Sequence, residues 1–437
     1  MLGIKDKVGS LGPGFKKYFF NTSWLMAEKI IRMGLSLLVS IYVVRYLGPE
    51  RFGVLSYVLS FVGLFAAISG LGLDGVVVRN LVEKPGKRDV ILGTSFILKI
   101  LGTLLMWLSI LLVIPFVNND YITNILIAVI AFAAIFQSLN VIDFYNQAAI
   151  QARSTVLPKM FSMIVTVSLQ VYFVLVGAPL IWFAWVYFIE ALVLTLGLIV
   201  FFWKNGGKLW RWTWQWQMAR NILKDSWPLL LSGMVISIYM KIDQVMIREM
   251  LGEEEVGLYA AAVQLSEAWY FIPMAITTSV FPAIVNAKKQ SKKLYQWRLQ
   301  KLYHLMVTIA VAIALPTTFL ATWLVKLLYG EVYVDAADVL SVHIWAGIFV
   351  FLGVASGRYL VAENFTKIAF FRNLLGMFIN VILNYYLIRD FGIVGAAIAT
   401  LICVFVSFYL AHAIFPLTRS LFREQTRSLL FFLNEDD

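Results

Sequence analysis

The sequence contains few of the residues that metal sites and disulfides need. Its 437 residues include one cysteine and three histidines. The single cysteine, Cys403, permits no internal disulfide and no cysteine metal cluster, and its apolar surroundings predict a small packing residue. His304, His343 and His412 are scattered along the chain and match no metal-site spacing. We therefore predict no metal and no other cofactor.

Long polar segments and nucleotide-binding motifs are also missing. Charged residues make up 14% of the chain, whereas hydrophobic residues make up 61% and the mean hydropathy is +0.81. No connection is long enough to hold a soluble catalytic domain, and no phosphate-binding GxxxxGK[ST] loop is present. These absences exclude ATP as the driving force within this chain and predict a protein that is not an enzyme.

Apolar segments long enough to cross a bilayer recur along the whole chain. A helix of about 20 apolar residues crosses roughly 30 Å of hydrocarbon. The pattern predicts an all-α integral membrane protein with twelve transmembrane helices. Their approximate positions are 19–47, 52–80, 90–116, 121–150, 156–176, 179–203, 226–250, 254–283, 299–329, 336–361, 367–388 and 391–416.

The basic residues between these spans predict the topology, because lysine and arginine are enriched in cytoplasmic loops. With the N-terminus inside, only Arg51, Arg248, Lys326 and Arg389 fall on the opposite side. The first 17 residues lack the apolar core of a signal peptide, so we expect the chain to keep its N-terminus. Both termini are predicted to be cytoplasmic. The net charge of +11 then reflects topology, and no nucleic acid partner is expected.

The chain divides into two similar halves. The shared motifs are Ser23-Trp24 with Ser226-Trp227, Leu47-Gly48 and Gly53 with Leu251-Gly252 and Gly257, and Gly177 and Ala184 with Gly392 and Ala399. Both halves start on the same side, which predicts a parallel repeat about an axis along the membrane normal. We predict an N-terminal lobe over 1–204 with the first six helices, a cytoplasmic linker over 205–225, and a C-terminal lobe over 226–437 with six helices and a cytoplasmic tail.

The linker alternates tryptophan with polar residues from Trp210 to Trp216 and has basic residues on either side. This pattern is typical of a segment that lies in the membrane interface. A role specific to the substrate is the alternative.

A set of short motifs stands at or near the ends of the predicted helices. They are Arg45-Tyr46-Leu47-Gly48-Pro49-Glu50-Arg51-Phe52-Gly53, Gly70-Leu71-Gly72-Leu73-Asp74 with Val78-Arg79, Lys241-Ile242-Asp243-Gln244-Val245-Met246, Gly257-Leu258-Tyr259-Ala260-Ala261-Ala262, Phe281-Pro282, and Phe391-Gly392-Ile393-Val394-Gly395-Ala396-Ala397. Together these motifs resemble the polysaccharide flippases of the Wzx type. That family belongs to the multidrug, oligosaccharidyl-lipid and polysaccharide exporter (MOP) superfamily.

The resemblance implies a V-shaped pair of six-helix lobes with a central cavity. It also implies an undecaprenyl-diphosphate-linked oligosaccharide as substrate, moved to the outer leaflet of a bacterial inner membrane. Such repeat units serve the synthesis of O-antigen in lipopolysaccharide, capsule or exopolysaccharide. The implied partners are this lipid-linked oligosaccharide, membrane lipids, and the polysaccharide polymerase with its chain-length machinery.

Basic residues inside apolar helices predict where the substrate binds. Charges in hydrocarbon are costly and usually face a protein interior or a water-filled cavity. Lys29, Arg32, Lys241 and Arg248 are therefore predicted to line the cavity and to bind the diphosphate. Two alternatives remain open. Arg32 can form a structural ion pair with Glu28, and Arg248 can extend to the membrane boundary.

Amide and aromatic side chains predict the sugar contacts, because a sugar chain offers hydroxyl groups and apolar ring faces. The candidates are Gln137, Asn140, Gln244, Gln264, Trp269 and Tyr270, and Gln147 shares one helical face with the first two. The alternative is that such amides only join helices.

Two further sets of charged residues complete the predicted site. Glu28, Asp143, Asp243 and Glu267 are candidates for a protonation step that couples transport to an ion gradient, because a dry site favours the neutral carboxyl. The candidates for a cytoplasmic gate are Asp74, Arg79 and Arg358. Anchoring at the interface is the alternative for this second set.

These features predict a flippase that works by alternating access. One alternative is an antiporter of drugs or cations like the multidrug and toxic-compound extruders, which the surplus of basic residues disfavours. The other is an integral-membrane polysaccharide polymerase or ligase, which the short external loops disfavour.

Overall fold

The computed structural model describes residues 13–363 and 365–430. These residues form helices and no strands, so the predicted all-α class is confirmed. The first 12 residues, on which part of the predicted N-terminal topology rests, lie outside the described part, as do residues 431–437 at the end of the predicted cytoplasmic tail.

The described chain forms two compact units. Unit 1 consists of Phe61–Met234 and the segment that ends at Val43, and unit 2 consists of Val44–Ser60 and the chain from Val235 onward. The helices are α1 (Pro13–Gly70), α2 (Asp74–Glu83), α3 (Arg88–Val113), α4 (Tyr121–Ala133), α5 (Val141–Ala148), α6 (Ala152–Leu175), α7 (Leu180–Lys204), α8 (Trp216–Leu251), α9 (Glu253–Glu267), α10 (Phe271–Gln290), α11 (Lys292–Leu328), α12 (Ala336–His343), α13 (Ala346–Ala362), α14 (Thr366–Phe405), α15 (Ala411–Ile414) and α16 (Arg419–Leu429).

The helices confirm a multi-pass membrane protein. Within the described residues, 9 helical segments are long and apolar enough to cross a membrane, and the bent pair of α12 and α13 makes a tenth. Two of the 9, Ser23–Glu83 and Thr366–Ile414, contain 61 and 49 residues, which is more than one crossing needs. Both are interrupted by a glycine with non-helical geometry, at Gly48 and Gly392. The count of twelve stays a prediction.

The glycines at the ends of the predicted spans adopt matching conformations in the two halves. Gly48 has φ 73° and ψ 170°, and Gly252 has φ 106° and ψ −177°. Gly177 and Gly392 form a second pair, with φ 69° and 59°. Residues other than glycine rarely adopt such positive φ values. The shared geometry supports the internal repeat that the sequence predicts.

The second predicted span is wrong at its end. The hydropathy pattern predicts a helix over 52–80, but α1 ends at Gly70 and α2 begins at Asp74 after a tight turn. Leu71 and Gly72 have φ values of 50° and 64°, which a helix cannot contain. Gly72 also lies against α8, because a Cβ there would be 2.5 Å from the Leu230 nitrogen. A close tertiary contact therefore accompanies the end of the helix.

Short 3-10 segments interrupt two other predicted spans. Phe136–Asn140 separates α4 from α5, and Ala268–Tyr270 separates α9 from α10. Such tight segments make poorer hydrogen bonds than an α-helix and often mark functional positions. Both contain residues that the sequence assigned to sugar contacts.

Inside unit 2, α1 and α9 meet at a pair of glycines. A Cβ on Gly53 would overlap the Glu253 carbonyl oxygen, and a Cβ on Gly257 would overlap the Pro49 carbonyl oxygen. The contact is reciprocal, since Gly53 faces the backbone at the start of α9 and Gly257 faces the backbone of α1 just after its break at Gly48. Only glycine permits this approach, because the atoms in the way belong to backbone.

We expect Gly53→Ala and Gly257→Ala each to destabilise the protein by about 1–3 kcal/mol or more, because the added methyl group has no space. The midpoint of thermal unfolding in detergent measures this. Gly34→Ala is the matched control, since Gly34 also lies on α1 and a Cβ there would have nothing within 4 Å. Equal midpoints for the three variants would contradict the close crossing.

Helix α16 packs against the core of unit 2. Leu421 is fully buried in a cluster with Tyr303, Met306 and Phe351. Gln300 on α11 donates hydrogen bonds from its amide to the Glu424 carbonyl oxygen (2.9 Å) and to the Ser428 hydroxyl (2.7 Å). The tail helix is thus part of the folded unit.

The carboxyl of Glu424 is buried in this contact. Its residue is only 9% exposed, and its Oε2 atom has no hydrogen-bond partner among the described residues. Burial raises the pKa of Glu424 from 4.5 to about 7, although Arg427 opposes the shift. The folded protein therefore holds this proton more tightly than the unfolded chain does.

Because the pKa is raised on folding, the stabilisation from the Glu424 proton is complete below pH 4.5 and is lost as the pH rises to about 7. We expect the free energy of unfolding to fall over this range by at most about 3 kcal/mol, and the unfolding midpoint to fall with it. Glu424→Gln removes this dependence, whereas Glu331→Gln, whose side chain is 78% exposed, retains it. A pH profile unchanged by Glu424→Gln would contradict the assignment.

Candidate substrate site

A polar cavity of about 620 Å³ lies inside unit 1. The end of α1, the start of α2, and residues of α3, α5 and α8 line it together with the 3-10 segment after α4. Its polar lining residues are Ser69, Asp74, Lys99, Gln137, Asn140, Asp143 and Gln147. The structure thus brings together residues that the sequence assigned to a gate (Asp74), to sugar contacts (Gln137 and Asn140) and to protonation (Asp143).

The helix break between α4 and α5 presents two of these amides to the cavity. Gln137 and Asn140 belong to the 3-10 segment Phe136–Asn140 and line the cavity. A side chain of α7 supports the segment, because the Thr195 hydroxyl donates to the Phe136 carbonyl oxygen at 3.0 Å. Such a bond satisfies backbone that a regular helix would have paired itself.

Asp143 joins α5 to α6. Its carboxylate accepts hydrogen bonds from the Thr155 hydroxyl (2.5 Å) and the Gln147 amide (3.3 Å), and it forms an ion pair with Lys159 at 3.2 Å. Three donors thus satisfy this carboxylate. This environment favours a structural role for Asp143, and its predicted role in protonation stays a prediction.

Lys99 is a cavity residue that the sequence analysis missed. It is 6% exposed, and its Nζ atom lies 5.1 Å from the centre of the Phe144 ring. Asp74 acts on it electrostatically, but no carboxylate of the described residues lies within the 4.0 Å of an ion pair. A lone lysine in the apolar stretch 90–116 is a signal in itself, because such charges usually face a cavity.

The charged residues at the start of the chain form a local ion pair in unit 1. Arg32 Nε lies 3.0 Å from Glu28 Oε1, and Glu28 is 4% exposed whereas the Arg32 side chain is 42% exposed. Glu190 on α7 also interacts electrostatically with Arg32, and the sequence analysis did not single it out. Lys29 is exposed, with no ion pair to a described residue. The structural alternative for Glu28 and Arg32 is therefore present, and it leaves the charge of Lys29 uncompensated in this part of the chain.

Polar side chains of α8 connect to neighbouring helices in unit 2. The Tyr259 hydroxyl donates to Asp243 Oδ2 at 2.6 Å, and the Gln244 backbone nitrogen donates to Asp243 Oδ1 at 2.9 Å. The Ser60 hydroxyl donates to Gln244 Oε1, also at 2.6 Å. The bond from Tyr259 joins Asp243 to the neighbouring helix α9.

Lys241 and Glu267 lie near this network without a short ion pair among the described residues. Glu267 interacts electrostatically with Lys241 and with Asp243. Lys241 is half-buried. Gln264, one turn before Glu267, has a buried Oε1 atom without a partner in the described part of the chain. These groups can still form hydrogen bonds or ion pairs with a ligand, whereas the paired groups already have protein partners.

The predicted arginines Arg248, Arg79 and Arg358 contact other side chains near the ends of helices. Arg248 forms ion pairs with Glu249 (3.0 Å) and Glu253 (3.4 Å), and its guanidinium lies 5.0 Å from the Tyr57 ring centre. Of the gate candidates, Arg79 forms an ion pair with Asp225, and Arg358 donates a hydrogen bond to the Thr278 hydroxyl at 3.5 Å. Of the predicted aromatic contacts, Trp269 is 41% exposed and Tyr270 is half-buried.

Arg372 in unit 2 is a second buried cation that the sequence analysis missed. It is 5% exposed and donates to the Ser356 hydroxyl at 2.9 Å, and its guanidinium lies over Phe408 and near His412. Phe408 belongs to a π-helical turn, Val406–Leu410. Neutral groups thus hold this charge, and it does not line the cavity of unit 1.

The predicted diphosphate ligands are divided between the units, with Lys29 and Arg32 in unit 1 and Lys241 and Arg248 in unit 2. Their convergence on one central cavity stays a prediction.

A family model places these residues in a known group of proteins. The model described as "Polysaccharide biosynthesis protein" matches residues 19–288. The chain belongs to this family. A second model, MatE, matches residues 228–386. The resemblance drawn from the short motifs is thereby confirmed.

Two curated relatives carry names from glycan synthesis. The chain is 25% identical over 395 residues to the "Probable low-salt glycan biosynthesis flippase Agl15" of Haloferax volcanii, covering 86% of this chain and 79% of that protein. It is 20% identical over 181 residues to the "Capsular polysaccharide biosynthesis protein CapF" of Staphylococcus aureus, covering 41% of this chain and 46% of that protein.

Solved structures show the MOP superfamily fold. The lipid II flippase MurJ in an inward closed conformation matches with a TM-score of 0.70 and 15% identity over 94% of this chain and 93% of that chain. An inward-facing multidrug resistance transporter of the MATE family matches with a TM-score of 0.69 and 16% identity over 95% of this chain and 100% of that chain. The expected MOP fold is confirmed.

Proposed function

We propose that this protein is a flippase that moves an undecaprenyl-diphosphate-linked oligosaccharide from the cytoplasmic to the outer leaflet of a bacterial inner membrane. The observation that carries the proposal is the cavity of about 620 Å³ in unit 1, with its polar and charged lining. Family membership and the names of the two curated relatives support the same substrate class.

The cavity offers polar groups to a head group that would be costly to place in hydrocarbon. Hydroxyl groups and a diphosphate face a prohibitive cost in hydrocarbon unless protein groups replace their water. Gln137 and Asn140 offer amides to sugar hydroxyls, and Lys99 offers a buried ammonium group. A volume of this order suits a few sugar rings at most. We propose that the prenyl chain stays in the lipid while the head group is solvated by these side chains.

We propose that Lys29, Arg32 and Lys241 bind the diphosphate while the protein opens alternately to the two sides of the membrane. Among the carboxyl candidates for coupling, Glu28 and Asp143 already have ion pairs, at 3.0 and 3.2 Å. Asp243 accepts hydrogen bonds from the Tyr259 hydroxyl and the Gln244 backbone nitrogen. Glu267 has none within 4.0 Å among the described residues, although it interacts electrostatically with Lys241. We therefore propose Glu267 as the group whose protonation couples transport to an ion gradient.

Deletion of the gene in its host tests the function. We expect lipid-linked oligosaccharide to accumulate in the inner leaflet and surface polysaccharide to be lost, because the head group cannot cross hydrocarbon unaided. The glycan is measured by leaflet-resolved analysis of extracted lipids. Normal surface polysaccharide without accumulation would overturn the flippase proposal.

Complementation of this strain tests the residues. Lys29→Ala, Arg32→Ala, Lys241→Ala and Lys99→Met are each expected to lower surface glycan about tenfold or more, the effect of losing one charged hydrogen bond. Lys326→Ala is the control, since that side chain is 41% exposed and pairs with Glu331. If all four variants restore full surface glycan, the site is assigned wrongly even if the function holds.

A further inference from the structure

The connection between the two halves carries an exposed surface of tryptophan and basic residues. We name the basic tryptophan surface by its six members, Lys208, Trp210, Arg211, Trp214, Trp216 and Arg220. Trp210 and Trp216 are 73% and 72% exposed, and Trp214 is 38% exposed. Residues 191–224 contain no aspartate or glutamate. The surface therefore combines large apolar rings with charge of one sign.

The segment is fixed to unit 1 by the one tryptophan that turns inward. The Trp212 ring packs against Phe96 and Phe202, with ring centres 5.5 and 5.9 Å away. Trp212 therefore anchors the alternating pattern, since its neighbours at 210 and 214 point away from the core cluster that it joins.

Backbone contacts fix the segment further. A Cβ on Gly93 would lie 2.6 Å from the Thr213 nitrogen, so α3 and the connection touch through their backbones. The Gln215 nitrogen donates to the Thr94 hydroxyl at 3.2 Å. On the other side, a Cβ on Gly207 would lie 2.5 Å from the Phe202 ring. The connection is a docked element that presents its tryptophans in set positions.

The cations of this surface lack protein counter-charges. No carboxylate of the described residues lies within 4.0 Å of Lys208, Arg211 or Arg220. Lys208 Nζ instead lies 5.8 Å from the centre of the Trp210 ring. Arg88, the first residue of α3, lies at the same end of unit 1, because the Thr213 nitrogen donates to the Asp89 carbonyl oxygen at 3.4 Å. The topology predicts this end to be cytoplasmic.

We propose that the basic tryptophan surface binds the head groups of anionic phospholipids in the cytoplasmic leaflet. Tryptophan rings are favoured at the level of lipid head groups, and basic residues next to them are attracted to anionic lipids. The fixed position of the segment keeps both kinds of group next to each other, with Lys208 beside Trp210 and Trp214 beside Trp216. This inference does not depend on the transported substrate.

Titration of the purified full-length protein with phosphatidylglycerol or phosphatidylcholine, followed by native mass spectrometry, tests the proposal. Each basic residue near an anionic surface is expected to raise affinity about fivefold. The variant Lys208→Gln/Arg211→Gln/Arg220→Gln should therefore bind phosphatidylglycerol about 100-fold more weakly and phosphatidylcholine as before. The charge-preserving variant Lys208→Arg/Arg211→Lys/Arg220→Lys should retain phosphatidylglycerol binding and shows that the surface tolerates substitution.

The matched control is Arg51→Gln/Lys326→Gln/Arg389→Gln, which removes the same charge from three exposed residues that the topology predicts on the opposite side of the membrane. It should change phosphatidylglycerol affinity less than about threefold, since these residues are not predicted to face the cytoplasmic leaflet. Equal losses in both triple variants would overturn the proposal in favour of net charge alone. Unchanged affinity in the surface variant would also overturn it and assign the surface to a protein partner.

Discussion

A polar or charged side chain in hydrocarbon must find a partner, and the structure of this protein depends on that constraint. Some of these groups are paired across helices. Asp143 binds Lys159 and Asp243 accepts from Tyr259, so these side chains tie α5 to α6 and α8 to α9. Lys99 is different, because its buried ammonium group borders a cavity without an ion pair among the described residues. The paired groups hold the fold, and the unpaired ones are available to a ligand.

The close approach of helices follows from a second constraint, the need for tight backbone packing where no hydrophobic effect drives helices together. Gly53 and Gly257 satisfy it reciprocally in unit 2. Gly93 does the same in unit 1, where it allows the connection between the halves to dock. Glycine therefore permits the contact between α1 and α9 in unit 2, and in unit 1 it permits the contact that fixes the tryptophan surface.

The sequence predicted the fold class, the family and the internal repeat, because hydropathy and the spacing of short motifs are local signals. Gly48 and Gly252, at equivalent positions of that repeat, both have positive φ. The tertiary contacts could not be predicted from the sequence. The helix end at Gly70 coincides with a contact to α8, and the pairing of Asp143 with Lys159 joins residues 16 apart. Lys99 was missed because a single lysine in an apolar stretch forms no motif.

The proposed transport of a lipid-linked oligosaccharide between leaflets can be measured in reconstituted liposomes. Purified protein and a lipid-linked oligosaccharide would be placed in vesicles, and the fraction of glycan reached by a membrane-impermeant glycosidase would be followed over time. We expect glycan from the inner leaflet to become accessible with wild-type protein and far more slowly with Lys99→Met. Accessibility that never exceeds that of protein-free vesicles, with a correctly folded protein present, would contradict it.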